Sequence, residues 1–304
     1  MKRVIAGLFI VCCISMTGCS GSTPSSTQTS AQPMFAETIS AMGSIKSYYL
    51  STDMTENYTI VEKTAAQTTT DRWQWKSQRQ IDISNKQMYL SMDIHETPDI
   101  QAYIFQEYFI DGWSYYEQSS PVEGGMTDPW TKTKLGEDNV NWTNYTQAAS
   151  QIELLKTAGN IDLVETGQID GRDYNVFQFS PSAAASADWV LSQGGFSGPD
   201  LGWWRTSLER AKQIYIKAFQ NGSIKLWIDK DTSLILRENF SFNFDALPGN
   251  ISGSDIGLAQ GNSANVGFKK IIRDFNGEWD FSNYNQPVQI QLPRAALDTP
   301  NSVN

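Results

Sequence analysis

KQIYIKAFQNGSIKLWIDKDTSLILRENFSFNF, residues 212–244, is the stretch on which the fold turns. In its last third Leu234, Leu236, Phe240, Phe242 and Phe244 share one parity, while Arg237, Asn239, Ser241 and Asn243 hold the other. Period-two alternation of this kind describes a strand with one buried face and one wet face. Asp229 to Ser233 supplies a tight turn between "SIKLWI" and "LILRENFSFNF". Upstream, Asn221-Gly222 stands between "KQIYIKAFQ" and "SIKLWI". A two-residue hairpin of the mirror-image type needs positive φ at both central residues, which Asn, Asp and Gly tolerate best. Three consecutive antiparallel strands are therefore expected here, with the phenylalanines on a face buried against something.

The same punctuation recurs outward along the chain. Asp111-Gly112 separates "AYIFQEYFI" from "WSYYEQ", Asp170-Gly171 separates "IDLVETGQI" from "RDYNVFQF", and Asn276-Gly277 separates "FKKIIRDF" from "EWDF". Three earlier runs, "SIKSYYLSTDMTENYTIVE", "TTTDRWQWKSQRQIDIS" and "QMYLSMDI", read as further long strands. The total of roughly ten or eleven is enough for a sheet to curl. Helical signals are few: Trp142, Tyr145, Ala149, Ile152 and Leu155 form one stripe, Ser182 to Gln193 is Ala-rich before Gly194-Gly195, and Pro199-Asp200 opens a segment with Leu201, Trp204 and Leu208 on one side. The expected class is mainly β (α+β): a long antiparallel meander curled into a half-barrel, with a few helices covering its concave face.

The amino terminus carries a separate message. Met1-Lys2-Arg3, an apolar run from Val4 to Ile14 and then Ser15, Thr17 and Gly18 reproduce the order of a secretory signal. The run is too short for the roughly 20 residues of a membrane-spanning helix. With Thr17-Gly18-Cys19 the sequence resembles a bacterial lipoprotein precursor, which implies cleavage before Cys19 and lipid attachment to it; Met16 stands where Leu is commoner. Cys12 and Cys13 would leave with the signal, so no internal disulfide and no cysteine metal site is expected. Residues 20–33, rich in Ser, Thr and Gln, have nothing to bury and read as a tether. The expected organisation is a signal peptide at 1–18, lipidated Cys19 and tether at 19–33, one domain at 34–297 and a tail at 298–304. The formal net charge of −10 becomes more negative by two when Lys2 and Arg3 are lost. Such a body repels phosphate backbones and anionic headgroups, so nucleic acid is an unsuitable partner and membrane contact falls to the anchor.

Over most of residues 35–297 the chain resembles the LolA- and LprG-like (LppX-like) lipoproteins. The resemblance rests on Ile39 to Ser47 as an opening helix leading into a strand, Trp227 and Asp229 as a Trp-x-Asp strand end before a turn, and Pro293 and Ala296 as a closing Pro-x-x-Ala. It implies a half-barrel whose apolar hollow binds acyl chains, lipoproteins or glycolipids, or a module that senses envelope stress.

Catalytic signals are sparse. His95 is the sole histidine, there is no Gly-x-Ser-x-Gly turn, and zinc catalysis normally wants two or three His or Cys ligands. "DKDTSL", residues 229–234, opens like a calcium loop but has Leu234 where Gly belongs and Phe240 where Glu belongs, so a hairpin turn is expected. No spacing among the 33 acids singles out a glycosidase pair. No enzyme, cofactor or metal is expected. The expected ligand lining is Phe177, Phe179, Ile214, Ile216, Leu236, Phe240, Phe242 and Phe244 on strands, with Trp142, Tyr145 and Ile152 on a covering helix. Two functions stay open: an envelope lipoprotein, tied to a membrane through Cys19, that binds or carries a lipid or other apolar ligand; or a protein-interaction or envelope-sensing module, with an envelope protein as partner, whose hollow is filled by its own side chains.

Overall fold

The computed structural model describes residues 31–62, 68–97, 101–119, 129–134, 147–169, 171–192, 208–247 and 268–300. Cys19, Trp142, Tyr145 and the segment opened by Pro199-Asp200 lie outside these residues. The described chain opens with helix α1 (Ala31–Gly43) and continues through β1 (Ser47–Glu62), β2 (Thr68–Asp82), β3 (Gln87–Thr97), β4 (Gln101–Ile110), β5 (Trp113–Ser119) and β6 (Thr131–Lys134). Helix α2 (Gln147–Thr157) then leads to β7 (Ile161–Ile169), β8 (Arg172–Phe179), α3 (Ala183–Ser192), α4 (Leu208–Ala218), β9 (Phe219–Asp229), β10 (Ile235–Ala246), β11 (Phe268–Ser282) and α5 (Arg294–Leu297).

All eleven strands form one antiparallel sheet in the order β6-β5-β4-β3-β2-β1-β11-β10-β9-β8-β7. This is two meanders joined where the first strand pairs with the last, a curled open sheet consistent with the half-barrel read from the sequence. Side chains on its concave face line up in rows across the strands. One row runs Phe179, Ile224, Phe240, Gly277, Met54, Trp75, Ile94, Tyr103, and the next runs Phe177, Leu226, Glu238, Trp279, Thr52, Ser77, Met92, Phe105. The main core lies on this face. On the opposite face Tyr108 and Tyr115 are covered by the carboxy-terminal segment, with Ile290, Leu292 and fully buried Ala296 packed there.

Two of the four Asx-Gly pairs turn the chain and two do not. Asp111 and Gly112 have φ of 53° and 77° between β4 and β5, and Gly171, also at 77°, lies where β7 meets β8. Asn221-Gly222 instead lies inside β9, and Asn276-Gly277 inside β11. Their glycines serve close approach. A Cβ at Gly222 would stand 2.7 Å from the Phe242 ring, and one at Gly277 would stand 2.5 Å from the Phe240 ring and 2.9 Å from Met54. The phenylalanine rings occupy the space a side chain would take, and no other residue leaves that space.

The segment before Asn221 is correspondingly helix α4, not a strand, so Ile214 and Ile216 are helical residues. Glu209 to Gln213 are strong helix formers, and Ile214, Tyr215 and Ala218 make one buried stripe. The other strand correction is Leu236. The β9–β10 register shifts between Ile235 and Arg237, and this bulge turns Leu236 to the outer face, where it packs with Tyr174 and Val176. Ile235 takes the core position. At the far end of β9 the Asp229 carboxylate accepts the backbone N–H groups of Asp231 and Thr232, each at 2.9 Å, which makes "DKDTSL" an Asx turn.

Candidate functional site

The helices divide the concave face into two unlike halves. They pack against the sheet chiefly on β7, β9 and β10. Ser182 starts α3 by accepting the Ala185 N–H at 3.2 Å, an N-cap that aims the helix across the sheet. Trp189 of α3 then meets Phe240 at 4.5 Å, Phe242 at 5.1 Å and Trp279 at 5.1 Å between ring centroids. Phe35 of α1 sets its edge against Phe177 and Phe179, and Tyr215 of α4 does so against Phe244. Phe177, Phe179, Phe240, Phe242 and Phe244 are therefore all buried under helix aromatics, none more than 5% exposed. Ile214 is buried in the same core, while Ile216 and Ile152 are partly buried against it. The strand phenylalanines chosen from parity come together, but as packed interior.

The other half, on β2 to β5, is aromatic and partly open. Trp73 and Trp75 stack on one strand with centroids 6.2 Å apart and planes at 12°. Two strands away Tyr103 lies 6.4 Å from Phe105, which lies 5.8 Å from Tyr116 of β5. Trp73, Tyr103, Phe105 and Tyr116 all retain exposed surface. Burial rises along the strands toward the other end, where Tyr48, Ile81, Met88 and Phe109 are at most 3% exposed. This half is thus partly exposed at its aromatic end and closed at its apolar end, with Trp75, Met92 and Ile94 between them also buried; the two ends are taken as the mouth and floor of a candidate trough. Its one-sided packing comes from ordinary strand alternation: "DRWQWKS" and "AYIFQ" carry the same period-two signal as "NFSFNF".

Polar groups enter this face at few points. Thr52 and Ser77 share a buried hydroxyl–hydroxyl hydrogen bond of 2.7 Å. At the seam between the halves, Arg273 of β11 pairs with Glu56 of β1, and its Nη1 donates to the Tyr215 hydroxyl at 2.8 Å. Burial opposes the Arg273 charge most strongly, but the Glu56 carboxylate, its hydrogen bond and the Tyr215 and Tyr58 phenols together outweigh it and hold the guanidinium above its ordinary range. Burial also pushes the Tyr215 and Tyr58 phenols up to about 12, so both stay neutral hydrogen-bonding groups. His95 is on the outer face, half exposed beside Asp93 at 3.2 Å.

No protein-family model matches the chain, and no curated protein matches it. Among solved structures it is similar to a DUF1329 family protein from Desulfovibrio piger, with 10% identity, a TM-score of 0.24 and coverage of 86% of this chain and 95% of that one. It is also similar to LprF from Mycobacterium bovis, with 12% identity, a TM-score of 0.45 and coverage of 86% and 96%. The lipoprotein LppX from Mycobacterium tuberculosis is similar at 13% identity and a TM-score of 0.35, over 86% of this chain and all (100%) of that one.

Proposed function

We propose that this chain is a lipid-anchored, extracytoplasmic lipoprotein of the cell envelope that binds or carries an acyl chain in the trough on β2 to β5. The observation that carries this reading is the set of partly exposed aromatics, Trp73, Tyr103, Phe105 and Tyr116, on a concave face whose other half is packed shut. Each methylene moved from water into such a trough is worth ~0.8 kcal/mol, so a long tail supplies affinity by burial and needs no reaction. Cys19, with a diacylglyceryl group, is the anchor and the Ser/Thr-rich segment behind it the tether; two or more chains hold stably where one holds only marginally.

Mass spectrometry of organic extracts of the purified chain tests this. Stoichiometric lipid, lost when Trp73 and Phe105 are replaced by alanine, supports it; a ligand-free protein that takes up no acyl probe refutes it. The packing of Trp189 onto Phe240, Phe242 and Trp279 favours a second reading, a protein-interaction or envelope-sensing module filled by its own side chains. A lipid-free protein that captures an envelope protein partner is its signature.

A further inference from the structure

Arg79 is a cation placed where the trough has least use for one. It lies on β2 in the row Leu50, Arg79, Leu90, Glu107, Tyr116, one step in from the closed floor of Tyr48, Ile81, Met88 and Phe109. Only 7% of the residue is exposed, and its Nε has no hydrogen-bond partner. Among the described residues no carboxylate stands within ion-pair distance of its guanidinium. Glu107, two strands away, is engaged by the Ser114 hydroxyl at 3.0 Å. Burial pushes the Arg79 guanidinium down to about 10, against a weaker attraction from Tyr48 and Glu107, so it is still charged at neutral pH; burial also pushes the Glu107 carboxyl up, against the Ser114 hydrogen bond and the attraction of Arg79. A buried charge with an unmet donor is costly, and a carboxylate matches a guanidinium fork with two parallel hydrogen bonds. Ser77 precedes Arg79 by two residues on the same face; in its bond with Thr52 only one hydroxyl donates, so the other retains a hydrogen to offer.

We propose that Arg79 receives the carboxylate of a single-chain fatty acid bound head-inward, its tail lying along the aromatic mouth. This rests on the acyl-carrier reading and names its ligand class. From Arg79 to Trp73 the strand runs about 20 Å at ~3.3 Å per residue, a span suited to a long-chain tail. The closed floor favours a small planar head over a glycerol-based one.

The test uses the full chain carrying Cys19→Ser, stripped of lipid, with cis-parinaric acid and its methyl ester as fluorescent probes of one chain length. The acid is expected to bind at least tenfold more tightly than the ester. Arg79→Met, which keeps much of the volume of the side chain, is expected to abolish that ratio while leaving ester binding within about threefold. Thermal unfolding is expected to show the variant folded and no less stable, since an unmet buried charge has been removed. Equal binding of acid and ester by the parent, or an unchanged ratio in Arg79→Met, overturns the assignment while leaving the carrier reading intact. Binding of neither probe overturns the carrier reading and this inference with it.

Discussion

Trp73→Ala and Phe242→Ala, made separately, divide the two halves of the concave face by experiment. Phe242 is 1% exposed, with Trp189 and Phe240 rings at 5.1 and 5.7 Å. Truncating such a side chain leaves a cavity that the sheet and helix cannot close, and the cost is about 3–5 kcal/mol. Trp73 is partly exposed, and removing its stacking on Trp75 costs the fold only about 1 kcal/mol. Its effect on a bound tail is the reverse. If the indole covers two methylenes, the loss at ~0.8 kcal/mol each is about 1.6 kcal/mol, a little over tenfold in Kd. Urea unfolding followed by circular dichroism reads the first quantity, and titration with methyl cis-parinarate reads the second. The expected pattern is crossed: Phe242→Ala unfolds at clearly lower urea, whereas Trp73→Ala nearly holds its midpoint and loses probe affinity. Equal loss of stability in both, with probe binding unchanged in Trp73→Ala, would make the β2 to β5 aromatics ordinary core and refute the division.

Three further outcomes test the packing. Arg273→Met should cost about 3–5 kcal/mol because Glu56, whose side chain is 4% exposed, loses its guanidinium, and adding Glu56→Leu should restore most of it; urea midpoints of the cycle measure both, and a single variant within about 1 kcal/mol of the parent contradicts the role of the pair. Gly277→Ala should destabilise by about 1–3 kcal/mol, since its Cβ meets Phe240 at 2.5 Å, while Gly43→Ala, with nothing within 4 Å, should not; equal midpoints would remove the spatial account of the glycine. Glu238 is fully buried with neither carboxylate oxygen partnered, and burial holds its carboxyl well above the usual range. The folded state therefore keeps a proton that the unfolded chain releases above roughly pH 4.3, so stability falls as pH rises past that point. Glu238→Leu should accordingly stabilise at about pH 7.5 and much less at about pH 4.5, and a pH-independent effect in matched urea curves contradicts it.

The comparison of Asp111-Gly112 with Asn221-Gly222 shows what a dipeptide conveys. Both announce a permissive backbone, and only the first spends it on positive φ. At Gly222 and Gly277 the demand comes from Phe242 and Phe240 on a paired strand, and a pairing register is not a local property of sequence. "KQIYIK" misleads for a related reason. Ile214 and Ile216 alternate as a strand would, while Ile214, Tyr215 and Ala218 also make a helical stripe, and the helix formers before them decide the outcome. Leu236 has the expected parity but sits at a bulge, which one extra residue in one strand creates without a sequence mark. The antiparallel meander, the Asp229 turn and the Ala-rich helix α3 are legible because each is set by neighbours in the chain. The trough is not, because "RWQW" and "FSFNF" are equivalent alternations. Among the described residues α1, α3 and α4 pack on β7, β9 and β10, and the "FSFNF" rings there are at most 5% exposed, whereas Trp73, Tyr103 and Phe105 are packed against the same core but only partly buried.

That placement also separates the energies of folding and binding. The covered half, from Phe177 through Phe244 to Trp279, is filled by its own side chains. A carrier requires this, because a ligand that supplied the core could not be released without unfolding its host. The seam is where the two functions could interfere, and the buried trio of Glu56, Arg273 and Tyr215 stands there. It ties α4, whose Tyr215 ring stands against Phe244, to β11 and β1. Directional, charge-assisted bonds fix such a position more specifically than apolar packing does. On the proposed carrier reading, substitutions at Trp73 or Phe105 should therefore change lipid affinity more than they change what holds the sheet.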